Sequence, residues 1–178
     1  MPTGRKKETK TMALHAVDLK ELSPEVFRVF GTQNALLTAG DRARSNTMTI
    51  GWCGLGRIWN EPACTVYVRP ERYTYEFMEA QEYFTVAVPA LEDHDRIRVF
   101  GTRSGRDTDK LAESGMSVAY TESGVPYIAE SEWVLVCRKL YVQDMKPECL
   151  TDDRPERFYE GEAWHRMYIG EVVEAYVR

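Results

Sequence analysis

Six short segments of this chain are typical of β-strands, and the few short helices between them do not repeat as βαβ units would require. The last two segments, of about ten and twelve residues, exceed the usual strand length of roughly 5–6 residues, and Gly170 can permit a bend in the final one. This order favours a closed or partly closed antiparallel β-barrel over a doubly wound parallel sheet. The six segments are residues 34–39, 47–53, 63–69, 83–88, 133–142 and 166–177.

The connections predict a few short helices. One begins at Ser23-Pro24 and ends at Gly31, and a second covers residues 75–81 with Thr74 as its cap. A polar helix is expected around residues 93–100, with Ile97 and Phe100 facing inward. Residues 104–110 form a loop that opens another short helix, and the polar residues 144–164 form a surface excursion.

Length and charge restrict the class of protein. A chain of 178 residues suits one domain, which we place at residues 13–178 after a flexible tail at 1–12. With 23 Lys plus Arg against 28 Asp plus Glu, the net charge of −5 argues against a nucleic-acid binder. No apolar run approaches the roughly 18 residues of a membrane span. The basic N-terminal stretch lacks the apolar segment of a secretory signal, so we predict a cytoplasmic protein.

The cysteines and histidines offer no metal site. The four cysteines form no CxxC pair, and the chain has three histidines, so the short ligand spacings of a zinc site are missing. Cys53, Cys64 and Cys137 are interpreted as small apolar residues in or near strands, with disulfides left open. Hydrolase chemistry has no support, because neither a Ser–His–Asp order nor a paired-carboxylate motif occurs.

A glycine-rich segment at residues 51–57 resembles a dinucleotide-binding loop but lacks its third glycine, and residues 60–62 block the helix that should follow. We therefore exclude a Rossmann loop. Gly54 and Gly56 are interpreted as letting the backbone approach something flat or crowded.

The loop at residues 104–110 is suited to binding an anion. Two acids in it, Asp107 and Asp109, can cap the helix or accept hydrogen bonds from sugar hydroxyls. An exposed capped helix with paired charges explains the same loop equally well. The groups that can donate to an anion are Ser104, the backbone amide of Gly105, Arg106 and Lys110.

A second segment suited to binding an anion follows the third predicted strand. Arg69 and Arg72 lie just ahead of Thr74, at the start of a predicted helix, where a phosphate can be held by backbone N–H groups and arginine. Ordinary capping with surface arginines is the alternative. Two such loops in a net-acidic chain favour phosphate binding.

Two further places could contact a ring. The residues from Asn46 to Thr49 lead into Trp52 and could hold a flat heterocycle, although composition alone favours a loop entering a core strand. His165 stands beside Trp164, and a lone histidine is more often a packed or surface residue than a catalytic one.

Four motifs, taken in order, resemble the flavin reductase-like proteins of the FMN-binding split-barrel fold, including the flavoredoxin type. The resemblance covers about residues 25–177 and implies a mainly β, antiparallel, Greek-key-like split barrel with short helices. The motifs are NTMTIGW at 46–52, VRP at 68–70 with RYT at 72–74, SGRDTDK at 104–110, and HRMYIGEV at 165–172.

The resemblance also implies a homodimer that holds FMN near the subunit interface. The ring would meet the segment containing Asn46, Thr47, Met48, Thr49 and Trp52. The phosphate and ribityl chain would be served by Arg69, Tyr73, Thr74, Ser104 and Arg106, with Gly105, Asp107 and Lys110 of the same loop. His165 would lie near the ring or on the nicotinamide side, as the candidate catalytic residue. No role carries over to Cys53, and the excursion at 144–164 lies outside the shared pattern.

Three functions are compatible with these residues. The first is an enzyme that transfers hydride from NAD(P)H through FMN to flavin or another acceptor. The second is an electron carrier that serves a protein partner, and the third is a non-redox ligand-binding barrel. For the first, backbone N–H groups or a cationic His165 would stabilise the charge of reduced flavin, and Arg106→Ala is predicted to weaken FMN retention.

Overall fold

The structure is a computed structural model that describes residues 15–16 and 29–178. The predicted tail at 1–12 and most of the predicted first helix lie outside the described residues. All six predicted strands are present among the ten strands of the described residues: β1 His15–Ala16, β2 Ala35–Gly40, β3 Ser45–Ile50, β4 Cys53–Ile58, β5 Glu61–Val68, β6 Tyr83–Pro89, β7 Val118–Tyr120, β8 Pro126–Ile128, β9 Ser131–Asp144 and β10 Arg166–Val177.

Within residues 29–178, three short α-helices lie in the connections: α1 Tyr73–Ala80, α2 His94–Thr102 and α3 Lys110–Ser114. Short 3₁₀ turns occur at Leu91–Asp93, Pro147–Cys149 and Glu156–Phe158, and a π-helical turn at Val29–Gln33. Gly31 lies inside that turn and does not end a helix, so this prediction was wrong. In the described ranges no helix has both the length and the apolar character needed to span a bilayer.

One antiparallel sheet contains most of the strands, in the order β3-β2-β6-β9-β10-β5-β4, with β1 pairing to β10. β3 and β4 are the two ends of this order, yet only Gly51 and Trp52 separate them in the chain. A connection of two residues spans at most about 11 Å, since consecutive Cα atoms are about 3.8 Å apart. The sheet must therefore curl until its edges nearly meet, which confirms the predicted split barrel.

The segment that resembled a dinucleotide loop is the edge strand β4. It pairs with β5 from Cys53 opposite Val66 to Ile58 opposite Glu61, through a tight turn at Trp59-Asn60 whose residues have φ of 52° and 64°. Positive φ at both central positions is typical of a type I′ hairpin turn. The second predicted strand therefore ends at Ile50 rather than at residue 53.

The barrel interior is filled by apolar side chains from both halves of the sheet. Phe84, Leu37, Val66 and Leu135 are almost fully buried there. The register shifts between Ile169 and Gly170, as predicted for a bend, and a Cβ at Gly170 would lie 2.9 Å from the Phe84 ring. Close packing against that ring is the reason for the glycine.

The cysteines are free thiols. Cys64 and Cys137 are buried in β5 and β9, and the Cys53 Sγ lies 3.6 Å from the Cys64 Sγ. This placement confirms their interpretation as small apolar strand residues. Cys149, in contrast, is exposed in the excursion between β9 and β10.

Candidate functional site

A continuous groove runs along β3 beside the start of α1. It consists of two cavities of about 230 Å³ each, which share Met48, Thr49 and Arg72. We call the first the phosphate-side cavity; its lining includes Thr74, Ser104 and Lys110. The second is called the ring-side cavity, and its lining includes Trp52, Arg69, Tyr67 and His165.

The groove lies where β3 is bordered by the connection from β5 to α1 and by the end of α2. β5 ends at Val68, α1 begins at Tyr73, and α2 ends at Thr102 close to β3. The Thr49 hydroxyl donates to the Ile97 carbonyl at 3.0 Å, and a Cβ at Gly101 would lie 3.3 Å from the Thr49 Cβ. This close approach fixes the end of α2 against the strand.

Two cations face the phosphate-side cavity without an anionic partner. Within the part of the chain that the structure describes, neither Arg72 nor Lys110 forms an ion pair with a carboxylate. Lys110 is 7% exposed, and its Nζ donates to the Thr47 carbonyl at 2.8 Å. Burial, and secondly the charge of Arg72, lower the pKa of Lys110 to about 8. An anion bound between them would relieve both effects.

Asn46 has a positioning role in this site. Its Nδ2 donates to the Thr74 Oγ1 at 2.7 Å, and a Cβ at Gly105 would lie 2.3 Å from the Asn46 Oδ1. Asn46 thus connects β3, α1 and the 104–110 loop. Thr74 lies inside the first turn of α1, where Arg72 is the N-cap residue, so the predicted capping by Thr74 was wrong. The buried Thr74 lines the phosphate-side cavity instead.

The structure distributes the residues of the 104–110 loop over two cavities. Ser104 lines the phosphate-side cavity, and its Oγ accepts from the Arg106 amide at 3.2 Å. Lys110 and Tyr73 line both this cavity and a larger one of about 520 Å³ on the other side of the loop. That larger cavity is lined by Asn46, Thr47, Gly105, Arg106 and Asp107, among others.

Arg106 already has an anionic partner. Its Nη2 lies 2.6 Å from a Glu76 carboxylate oxygen, and its Nη1 donates to the Glu71 carbonyl at 3.0 Å. The guanidinium also lies 4.9 Å from the centroid of the Tyr73 ring. Arg106 therefore secures the loop to α1, in contrast to the unpaired Arg72 and Lys110.

The ring-side cavity has an aromatic wall. Trp52 is 42% exposed, and the centroid of its ring lies 4.8 Å from that of His165. His165 is buried, and its Nδ1 lies 3.1 Å from the Tyr159 hydroxyl. Burial, together with Arg69 and Arg72, lowers the pKa of His165 to about 4. This lowered pKa favours the neutral imidazole at pH 7, and the cationic role of His165 beside a reduced flavin stays a prediction.

Comparison with known proteins places this architecture in a family. The model of the flavin reductase like domain matches residues 27–178, which is most of the chain. The chain belongs to the flavin reductase-like family.

Solved structures support the same fold for this flavin reductase-like chain. An FMN-binding domain of a flavin reductase-like enzyme from Shewanella baltica has a TM-score of 0.66 and 21% identity, over 92% of this chain and 76% of that one. Flavoredoxin from Methanosarcina acetivorans has a TM-score of 0.65 and 24% identity, over 82% of this chain and 68% of that one.

A curated relative extends the comparison. A high molecular weight rubredoxin from Moorella thermoacetica is 36% identical over 70 residues, which are 39% of this chain. The match covers 30% of that protein's length. The similarity therefore relates less than half of this flavin reductase-like chain to a segment of a longer protein.

Sequence reasoning missed residues of the excursion between β9 and β10. Arg69, predicted to bind phosphate, donates from Nη2 to the Phe158 carbonyl at 2.6 Å and forms an ion pair with Glu162. Tyr159 stacks on Trp164 with ring centroids 3.9 Å apart. The aromatic pair Phe158-Tyr159 inside a polar stretch was the available signal, because such residues rarely remain fully solvated.

Proposed function

We propose that this chain is an FMN-dependent oxidoreductase that takes hydride from NADH or NADPH and passes electrons to a flavin or another acceptor. The observation that carries the proposal is the pair of unpaired cations, Arg72 and Lys110, in a groove that continues to the aromatic wall at Trp52. FMN has the matching shape and charge, with a phosphate of nearly two negative charges at one end and a flat ring at the other.

The residues present fit this cofactor. Arg72, Lys110 and the hydroxyls of Ser104 and Thr74 would hold the phosphate, next to the free N–H groups at the start of α1. The ring would lie along β3 between Met48 and Trp52. FMN, when bound, supplies the hydride and electron chemistry that the side chains lack.

The protein's own contribution is orientation, exclusion of water and proton handling. Thr49 and Met48 line both cavities of the groove, so they would fix the position of the FMN ring relative to its phosphate. His165 is neutral at pH 7 and lies within hydrogen-bond distance of the Tyr159 hydroxyl, so the pair can hold or pass a proton beside the ring-side cavity.

Anaerobic mixing tests the proposal. The purified protein is saturated with FMN and mixed with NADH or NADPH, and the flavin absorbance is followed. Rapid bleaching supports the oxidoreductase. A protein that is colourless as purified and does not bind added FMN would contradict the proposal and favour a non-redox binding barrel.

An electron carrier that serves a protein partner is the second candidate. The match to a high molecular weight rubredoxin favours it, because that relative is named for a redox protein. In the same experiment, bound FMN that neither NADH nor NADPH bleaches, but that a reduced rubredoxin does, would identify the carrier.

We also propose that the chain forms a homodimer. Trp59 on the β4–β5 turn and Leu140, Tyr141 and Val142 on β9 are exposed large apolar side chains, and the rings of Trp59 and Tyr141 lie 6.2 Å apart. Neighbouring exposed apolar groups of this size mark interaction surfaces. Light scattering coupled to gel filtration is expected to give twice the chain mass of 20.5 kDa. A mass of one chain would contradict the dimer.

A further inference from the structure

Residues 156–165, which we call the strap, contact residues of the ring-side cavity, and His165 at the end of the strap lines it. The Phe158 ring meets Trp52 edge-on with centroids 5.4 Å apart. The Ala163 amide donates to a Glu71 carboxylate oxygen at 2.9 Å, which lowers the pKa of Glu71. The strap is therefore fastened at two points beside the groove.

The third fastening uses a cation that lines the ring-side cavity. Arg69 donates to the Phe158 carbonyl and forms an ion pair with Glu162. The Arg69 side chain is 14% exposed and that of Glu162 is 58% exposed, so the arginine is the enclosed partner. The Glu162 carboxylate thus already pairs with Arg69, a cation that a ligand in the cavity would otherwise contact.

The remaining charges of the ring-side cavity are few. Among the residues that line it, the cationic side chains are Arg69 and Arg72, while His165 is neutral at pH 7. Under the proposed function the cofactor phosphate neutralises Arg72. An anionic second molecule would then find Arg69 already paired with Glu162, and binding would require that ion pair to break.

We propose that Glu162 is a specificity-determining residue, which disfavours an anionic group of a second substrate inside the ring-side cavity and leaves the cavity selective for uncharged planar groups such as a neutral ring. This inference rests on the proposed function, because it treats the cavity as the place where a second substrate meets the cofactor. An uncharged planar group can contact Trp52 while the Arg69–Glu162 pair stays intact. A carboxylate or phosphate beside the ring must first displace Glu162.

Two small probes of nearly equal shape test the proposal: nicotinamide, which is neutral, and nicotinate, which is anionic at pH 7. Their affinities for the FMN-loaded protein are measured by NMR, with the His165 ring signals as reporter in a chain of three histidines. The variant is Glu162→Gln, which keeps the side-chain shape and removes the charge. The matched control is Glu160→Gln, an exposed acid of the same strap.

We expect Glu162→Gln to raise the nicotinate affinity about tenfold and to change the nicotinamide affinity less than twofold, since one partly enclosed cation is freed. Glu160→Gln should change neither. A nicotinate affinity within twofold of wild type in Glu162→Gln, or an equal gain in Glu160→Gln, overturns the proposal.

A separate FMN titration of wild type, Glu162→Gln and Glu160→Gln shows whether the proposed function itself fails. If FMN does not bind, the comparison of the two variants is made on the unloaded protein. The same ratio of nicotinate affinities then decides whether Glu162 controls the charge of the cavity.

Discussion

The affinity for FMN is expected to depend on pH through Lys110. This lysine is enclosed, faces the phosphate-side cavity, and has a pKa lowered to about 8 by burial and by Arg72. A group with pKa 8 is about 91% protonated at pH 7 and about 9% protonated at pH 9. If the phosphate binds the protonated form, the affinity falls about tenfold across this range, within the roughly 1.5–3 kcal/mol of a charged hydrogen bond.

The sign of the accompanying stability change is opposite. The folded pKa of Lys110 is below that of the unfolded chain, so between about pH 8 and 10.5 the unfolded chain binds more protons and the unloaded protein gains stability as pH rises. The full shift corresponds to about 3 kcal/mol, which partial solvent screening reduces to about 1–2 kcal/mol.

The assay is FMN fluorescence titration at pH 7, 8 and 9, on wild type and Lys110→Met. The variant should bind FMN at least tenfold more weakly at pH 7 and show no dependence on pH. Lys139→Met is the matched control, because Lys139 also has a lowered pKa but donates to the Met78 carbonyl, away from the groove. A Lys110→Met protein with unchanged affinity and an unchanged pH profile would refute the reasoning.

Three further predictions concern single side chains. Arg72→Ala should weaken FMN binding by about 10–100-fold in a fluorescence titration. Arg106→Ala should weaken it by less, because Arg106 pairs with Glu76. The reverse order would support Arg106 as the phosphate ligand, as the sequence predicts. Tyr168→Phe should lower the free energy of unfolding by about 1–2 kcal/mol in urea denaturation, since the buried Tyr168 hydroxyl donates to a glutamate at 2.7 Å; no change would show that water replaces it. Cys149 should react with a thiol reagent well before the other three cysteines, and labelling of all four at one rate would contradict the fold around β4 and β5.

Most strands could be predicted because their β-branched and aromatic residues form clear runs between turn signals. β4 could not, since the sequence CGLGRI lacks that pattern and the strand depends on its pairing with β5. The β7–β8 hairpin was also missed, because each of its strands has three residues. Short or glycine-containing strands are stabilised by their partners rather than by their own composition.

The loops that form the site could be predicted from the sequence. Cations beside helix starts are a local signal, and it located Arg69, Arg72 and the 104–110 loop. Which of them remains free for a ligand depends on distant residues. Arg106 is neutralised by Glu76, 30 positions away, and Arg69 contacts Phe158, 89 positions away. Only the folded chain brings these partners together, so no local pattern could assign the roles.

The claim that a phosphate binds between Arg72 and Lys110 is tested most directly by comparing FMN with riboflavin, which has the same ring and lacks the phosphate. Two charged contacts of about 1.5–3 kcal/mol each predict that FMN binds at least 100-fold more tightly at pH 7. Equal affinities for the two flavins, within threefold, would contradict the account.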